Sequence, residues 1–169
     1  MAGVVARGSQ IEGLGVFAER RFDAGEVVLL IDTSRVVDEE HPLHPELGEQ
    51  EEHCTQLPGG RVVLLPPPER YLNHSCDPNS YLKTLGGELQ VVARRPIPSG
   101  EEVTLDYLIN THGGSRWQCR CGTGRCRGLL EESFLDLPLE LQQEYVPLLE
   151  EWFVEQHAEA VSLLESRPR

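Results

Sequence analysis

The sequence predicts a mainly β fold, an α+β arrangement of several small β-sheets with a helical appendage at its C-terminal end. Two observations carry this. Over the first hundred residues, short segments rich in Val, Leu and Ile alternate with turn residues. From residue 131 onward the apolar positions instead recur at spacings of three and four.

Taken in order, "GVFAER" and "EVVLLID" read as strands divided by the turn-like "FDAG". "RVVLLP", "GELQVVA" and "EEVTLDYLI" repeat the style. Segments this short, with Gly, Pro and Asp between them, fit small antiparallel sheets. Between residues 38 and 60 the chain is acidic and holds few apolar side chains, so a surface insertion with a short helix is expected. Further on, Leu141, Tyr145, Leu148, Leu149, Trp152 and Phe153 form one apolar helical stripe opposite a Glu-rich face. Pro147 is expected to bend this stripe or divide it into two helices. The stripe is expected to pack on the core, with a homodimer interface as the alternative, so monomer and homodimer both stay open.

At 169 residues the chain suits one domain, or one domain with an appendage. No apolar run approaches the roughly 20 residues that cross a membrane. The opening "MAGVVARGSQIEGLGVF" lacks the apolar core of a signal peptide. A soluble intracellular protein is expected. With 28 acidic against 15 basic side chains the formal net charge is −13. That balance argues against direct contact with nucleic acid, which needs clustered Lys and Arg for phosphates. It suits a basic partner such as a lysine-containing peptide, although Glu-rich faces also serve solubility alone.

Five cysteines, an odd count, argue against a disulfide framework. Three of them stand in "CRCGTGRC", a C-x-C-x4-C cluster, interleaved with Arg120 and Arg125. Zinc takes four such thiolates in a tetrahedron. A fourth ligand must come from elsewhere: Cys76 or Cys54 as cysteines, with His74 and His112 as weaker options. The two arginines are expected to help keep the thiols deprotonated. A zinc-ribbon nucleic-acid binder fits poorly, because ribbons pair C-x2-C knuckles on a basic surface.

"YLNHSCDPNSY", "GEEVTLDY" and "CRCGTGRC", in this order and after an early "GLGVFA", resemble the SET-domain protein-lysine methyltransferases with a post-SET zinc motif. The likeness runs over roughly residues 3 to 130. It implies a SET fold of small sheets with a pseudoknot over 1–111, a post-SET segment over 112–130 and a helical extension over 131–169. It implies that Cys76, Cys119, Cys121 and Cys126 hold one structural Zn2+ and that Cys54 stays free. It further implies S-adenosylmethionine as cofactor, met by Gly13, Leu14, Gly15, Asn73, His74, Tyr107 and Trp117. Arg70, Tyr71, Asp77, Pro78 and Asn79 are read as architectural or turn residues.

Tyr107 matches the family's catalytic tyrosine. The reaction is an in-line attack by a neutral lysine amine on a methyl group carried by a sulfonium. Alignment dominates such a step, and burial of the amine disfavours its charged form. Two positions earlier, where many relatives carry Phe or Tyr, stands Leu105 in the substrate channel. Lacking a hydroxyl, it points to di- or trimethylation. His41, His44, His53 and Cys54 are read as loop residues, not as a second metal site. The resemblance therefore implies transfer of methyl to a lysine of a basic protein such as a histone. A non-catalytic SET-like interaction module is the alternative. A bacterial-type cytoplasmic location is expected, or a nuclear one in a eukaryotic host.

Overall fold

A computed structural model describes residues 3–166, so residues 1–2 and the end of the expected C-terminal extension, 167–169, lie outside the described part. Among the described residues the strands are β1 (Val4–Gly8), β2 (Leu14–Ala18), β3 (Val27–Leu30), β4 (Val36–Val37), β5 (Cys54–Gln56) and β6 (Val62–Leu64). They continue with β7 (Asn73–His74), β8 (Ser80–Leu85), β9 (Glu88–Ala93), β10 (Glu102–Leu105), β11 (Trp117–Gln118) and β12 (Leu129–Leu130). Three helices follow: α1 (Leu139–Tyr145), α2 (Glu151–Gln156) and α3 (Ala158–Ser166).

The strands form four small sheets, ordered β1-β2-β10-β7, β3-β9-β8, β4-β6-β5 and β11-β12. All pairings are antiparallel except one: β7 runs parallel to β10, with Asn73 opposite Thr104 and His74 opposite Leu105. That parallel edge carries "NH" alongside the end of "EEVTL" and so brings two of the motifs together. All five segments read as strands hold one, although β2 begins one residue ahead of its segment, at Leu14. In "EEVTLDYLI" the strand stops at Leu105, because Asp106 starts a turn: its carboxylate accepts from the Leu108 N–H and its carbonyl from the Ile109 N–H.

β8 gives no apolar signal of comparable strength. It is fixed by pairing with β9 across Gly86 and Gly87, whose φ of 62° and 86° make the tight turn a side chain would resist. The 38–60 segment holds single 3-10 turns at Pro45–Leu47, Glu51–His53 and Pro58–Gly60 where a short helix was expected. Its Pro and Gly content interrupts any longer ladder of hydrogen bonds.

The C-terminal stripe breaks twice, and Pro147 sits in a 3-10 turn between the breaks. Tyr145, Leu149, Phe153, Val161 and Leu164 are buried in one apolar cluster together with Cys76, Cys119, Cys121, Leu130 and Phe134. A second cluster, with Val16, Phe22, Val91, Ile97, Val103 and Leu105, fills the space between the first two sheets. The cysteines are therefore walled on one side by the helices. At the helix–sheet seam, Lys83 Nζ donates to the Leu149 carbonyl and Thr84 Oγ1 lies 3.2 Å from Glu150 Oε1. No helix of the described chain is long and apolar enough to cross a membrane.

Candidate active site and cysteine cluster

The parallel β7–β10 edge leads directly into both halves of the site. Two residues past β7, Cys76 is fully buried, and Cys119, Cys121 and Cys126 come to it from the far end of the chain. The four sulfurs all lie within 4.8 Å of one another, with Cys76 Sγ 3.6 Å from Cys119 Sγ. Zinc–sulfur bonds of about 2.3 Å in a tetrahedron put sulfurs about 3.8 Å apart, so the donor set fits that ion. Cys54 lies elsewhere, half-buried, with its thiol on the Gln50 carbonyl.

Backbone N–H groups converge on the sulfurs as they do on metal-bound thiolates: Cys76 N–H to Cys121 Sγ at 3.5 Å, Cys121 N–H to Cys119 Sγ at 3.4 Å, and Arg127 N–H to Cys76 Sγ at 3.4 Å. Burial pushes the Cys76 thiol up to about 11, against the pull of the Arg127 N–H and charge. It raises Cys119 as well. Burial opposes ionisation of Cys121 too, but the Cys76 N–H and the Thr123 hydroxyl hold that thiol at about 6. One thiolate is thus favoured by the fold alone, and Cys76 and Cys119 need a cation to offset burial.

The arginine beside the cluster is Arg127, and neither Arg120 nor Arg125 fills the place expected of them. Arg125 pairs with Glu144 at 2.6 Å and faces Asp77 at 3.5 Å, while Arg120 lines a cavity. Ion pairing with nearer carboxylates takes the Arg125 guanidinium away from the sulfurs.

That cavity, of about 490 Å³, is bordered by Gly13, Leu14, Asn73, His74, Tyr107 and Trp117. Its size falls within the range of small-molecule sites. Six of the expected cofactor residues meet there. Gly15 does not line it. A Cβ on Gly15 would overlap the Glu102 carboxylate, which accepts from Ser9 Oγ and from Asn73 Nδ2 at 2.7 Å. The absent side chain therefore makes room for Glu102, while Gly13, at φ 39°, forms the turn at the rim. Leu105 is buried in the sheet core and is not among the lining residues. Arg70, read as architectural, does line the cavity, and its buried Nε has no hydrogen-bond partner. A guanidinium on the wall of such a cavity suits the carboxylate of an amino-acid-like ligand.

Asn73 Nδ2 also donates to the Leu14 carbonyl at 3.0 Å, tying β7 to the glycine turn. The His74 ring is buried, with Nε2 3.3 Å from Cys76 Sγ and Nδ1 accepting from the Tyr107 N–H at 3.2 Å. Burial lowers its pKa to about 4, with Asp106 pulling upward and Arg127 downward. A neutral ring whose Nδ1 accepts carries its proton on Nε2, toward the sulfur. His74, Tyr107 and Trp117 make a ring of aromatic contacts with centroids 5.3, 5.4 and 6.0 Å apart.

Tyr107 is 43% exposed, yet its hydroxyl donates to the Leu72 carbonyl at 2.6 Å. Burial, then the nearby Glu102 charge, pushes the phenol to about 12. It stays protonated at neutral pH. With its hydrogen committed to Leu72, the oxygen offers its lone pairs and acts as an acceptor.

Two residues here, Asp106 and Arg127, were missed in the sequence, and a third, Asn79, was read only as a turn residue. Asp106, Arg127 and Asn79 are polar groups whose partners lie 21 to 25 residues away. Asp106 stands inside "GEEVTLDY" and Arg127 directly follows Cys126, and that placement was the only signal.

A SET domain matches residues 13–108, and the chain belongs to that family. The match ends before the Cys119–Cys126 segment. Histone-lysine N-methyltransferase Set2 of Drosophila melanogaster is 31% identical over 129 residues, covering 69% of this chain and 6% of that protein. Human histone-lysine N-methyltransferase SETD2 is 40% identical over 65 residues, 36% of this chain and 2% of that protein. Human histone-lysine N-methyltransferase 2B is 30% identical over 133 residues, 72% of this chain and 5% of that protein. The chain thus spans only a small part of these relatives. A solved Plasmodium falciparum protein, assigned as a histone methyltransferase, superposes with a TM-score of 0.50 at 19% identity, over 63% of this chain and 94% of that one. This last likeness bears on the fold alone.

Proposed function

We propose that the chain is a protein-lysine methyltransferase that uses S-adenosylmethionine and takes a lysine of a basic protein, such as a histone or histone-like protein, as its substrate. The observation that carries this is one cavity bordered together by Gly13, Leu14, Asn73, His74, Tyr107 and Trp117. The names of the relatives and the acidic net charge of −13 support the lysine-containing, basic substrate. One structural Zn2+ on Cys76, Cys119, Cys121 and Cys126 belongs to the same reading.

When bound, the cofactor supplies an electrophilic methyl group on a sulfonium. The chain's own residues do the rest by placement. The Tyr107 oxygen accepts from the amine N–H and aims the amine lone pair, and it abstracts no proton because its phenol is too weakly acidic to ionise near neutral pH and a neutral phenol is a negligible base. Trp117, His74 and Tyr107 wall the site with rings and limit water. Arg70, on the cavity wall, would hold a carboxylate of the cofactor. Leu105, two positions before Tyr107, is withdrawn into the sheet core and brings no hydroxyl to the cavity that would restrain a methylated amine, and di- or trimethyl-lysine is the proposed product. Mass spectra in which product stops at monomethyl-lysine under excess enzyme would refute that point.

The test is transfer of labelled methyl from S-adenosylmethionine to core histones and to a cell lysate, beside Tyr107→Phe. Labelling by wild type that the variant loses supports the enzyme. Absence of both labelling and cofactor binding, in folded zinc-loaded protein, leaves the non-catalytic interaction module.

A further inference from the structure

Arg127 is the residue that no part of the proposed reaction uses, yet it joins the two halves of the site. Its guanidinium grips Asp106 through both oxygens, Nη1 to Oδ2 at 2.7 Å and Nη2 to Oδ1 at 2.9 Å. The Asp106 side chain is 0% exposed and that of Arg127 12%. Its backbone N–H points at Cys76 Sγ, and its chain neighbour is Cys126. Asp106 immediately precedes Tyr107, accepts from the Leu108 N–H, and lies 3.7 Å from His74 Nδ1. Over the pair sits Tyr145 of α1, fully buried and near enough for these charges to act on its phenol.

A buried bidentate pair of this kind is rigid, because breaking it leaves a desolvated charge alone. Two connections therefore run from Cys76 to Tyr107. One is the His74 ring, which faces Cys76 on one side and the Tyr107 N–H on the other. The second passes through Arg127 and Asp106.

We propose that Arg127 is a positioning residue for Tyr107: by fastening the Asp106–Tyr107 turn to the cysteine cluster, it makes gathering of the four thiols around a metal and seating of the tyrosine hydroxyl a single event. This rests on the methyltransferase reading for its consequence, but its geometric content does not. The pair sets where the hydroxyl lies relative to the bound amine, so its loss acts on turnover more than on cofactor affinity. A shift of about an ångström in such a group costs on the order of 100-fold.

The experiment compares wild type with Arg127→Met, Arg127→Lys and the near-isosteric Asp106→Asn. Zinc content, affinity for S-adenosylhomocysteine, kcat and KM, and the amide resonance and hydrogen exchange of Tyr107 are measured for each. The expected result for Arg127→Met is one zinc per chain, cofactor-product affinity within about threefold, and kcat down on the order of 100-fold. The Tyr107 amide moves and loses protection while those of Val16 and Val91 in the sheet core stay put. Arg127→Lys, which keeps the charge without the paired donors, recovers only part of the loss. Asp106→Asn reproduces the Tyr107 amide change in case Arg127→Met does not fold. A folded, zinc-loaded Arg127→Met or Asp106→Asn with an unmoved Tyr107 amide overturns the proposal. If wild type transfers no methyl at all, the amide measurement still decides it, and only the functional reading falls.

Discussion

The Tyr107 hydroxyl donates to the carbonyl of Leu72, which stands 35 positions earlier in the chain and directly precedes the parallel strand β7. One hydrogen bond therefore fixes both the orientation of the phenol and its role as an acceptor. Tyr107→Phe removes it and keeps the ring. The expected cost in unfolding free energy is about 1 kcal/mol, the net worth of one such bond. The loss of methyl transfer is expected to be much larger, on the order of 100-fold. Denaturant melts and rate measurements on the same preparation check the contrast; comparable losses in both would make the hydroxyl a structural group only.

The four sulfurs belong to the apolar cluster that also holds Tyr145, Leu149 and Phe153. Metal bound there holds together segments that start more than 40 residues apart. Metal analysis is expected to give one zinc per chain. Stripping it with a strong chelator, or Cys76→Ser, is expected to lower stability by several kcal/mol and Tm by on the order of 10 °C. Cys54→Ser leaves both readouts unchanged. A melt indifferent to chelator would remove the metal from the account.

Asn79 looked like a turn residue and is instead a buried staple, 1% exposed. Its Nδ2 donates to the Glu102 carbonyl at 2.7 Å and to Glu101 Oε1 at 3.0 Å, and its Oδ1 accepts from the Thr104 N–H at 2.9 Å. It holds the entrance of β8 against β10, the strand that leads to Tyr107. Asn79→Ala strands these partners, and a loss of about 3 kcal/mol is expected in denaturant melts. A loss below about 1 kcal/mol would mean water replaces the side chain.

Lys83 is the only lysine in the sequence. Its ammonium is half-buried on the Leu149 carbonyl between β8 and the helices. Under the proposed function, the chain presents no free lysine of its own to its site or to another copy. Intact mass after prolonged incubation with S-adenosylmethionine alone is expected to stay unchanged, and a gain of methyl groups on Lys83 would show that the helix–sheet seam opens.

What the sequence displayed was local: apolar runs gave five strands, the three- and four-residue spacing gave the helical tail, and "CRCGTGRC" gave three of the four clustered thiols. Hidden were features that depend on distant partners. β7 is two residues long and exists only because Thr104–Leu105 lies beside it. β8, "SYLKTL", mixes polar and apolar positions, since one part faces the sheet core and Lys83 and Thr84 face the helices. Gly15 carried the right residue type for a reason periodicity cannot express, the space taken by Glu102. Arg127 was one position past a motif that drew attention to Arg120 and Arg125 instead.

Glu150 is 5% exposed where the chain leaves the Leu149 bend for α2. Burial raises its pKa above the ordinary 4.5, against hydrogen bonds from Thr84 and the Lys83 charge, which lower it. Below that ordinary value the carboxyl is protonated in folded and unfolded chains alike, and its stabilising share is fully present. As pH rises, the unfolded chain releases the proton first, so stability falls until the folded carboxyl has also ionised. Glu150→Gln keeps an oxygen for Thr84 Oγ1 and cannot ionise. Its Tm is expected to match wild type near pH 4 and to exceed it at higher pH, levelling off once the folded carboxyl has ionised, by a few degrees at most. Thermal melts of both proteins across that range check the sign: a variant less stable than wild type at pH 8 would mean that the ionised carboxylate is held by Lys83 and that the seam is an ion pair after all.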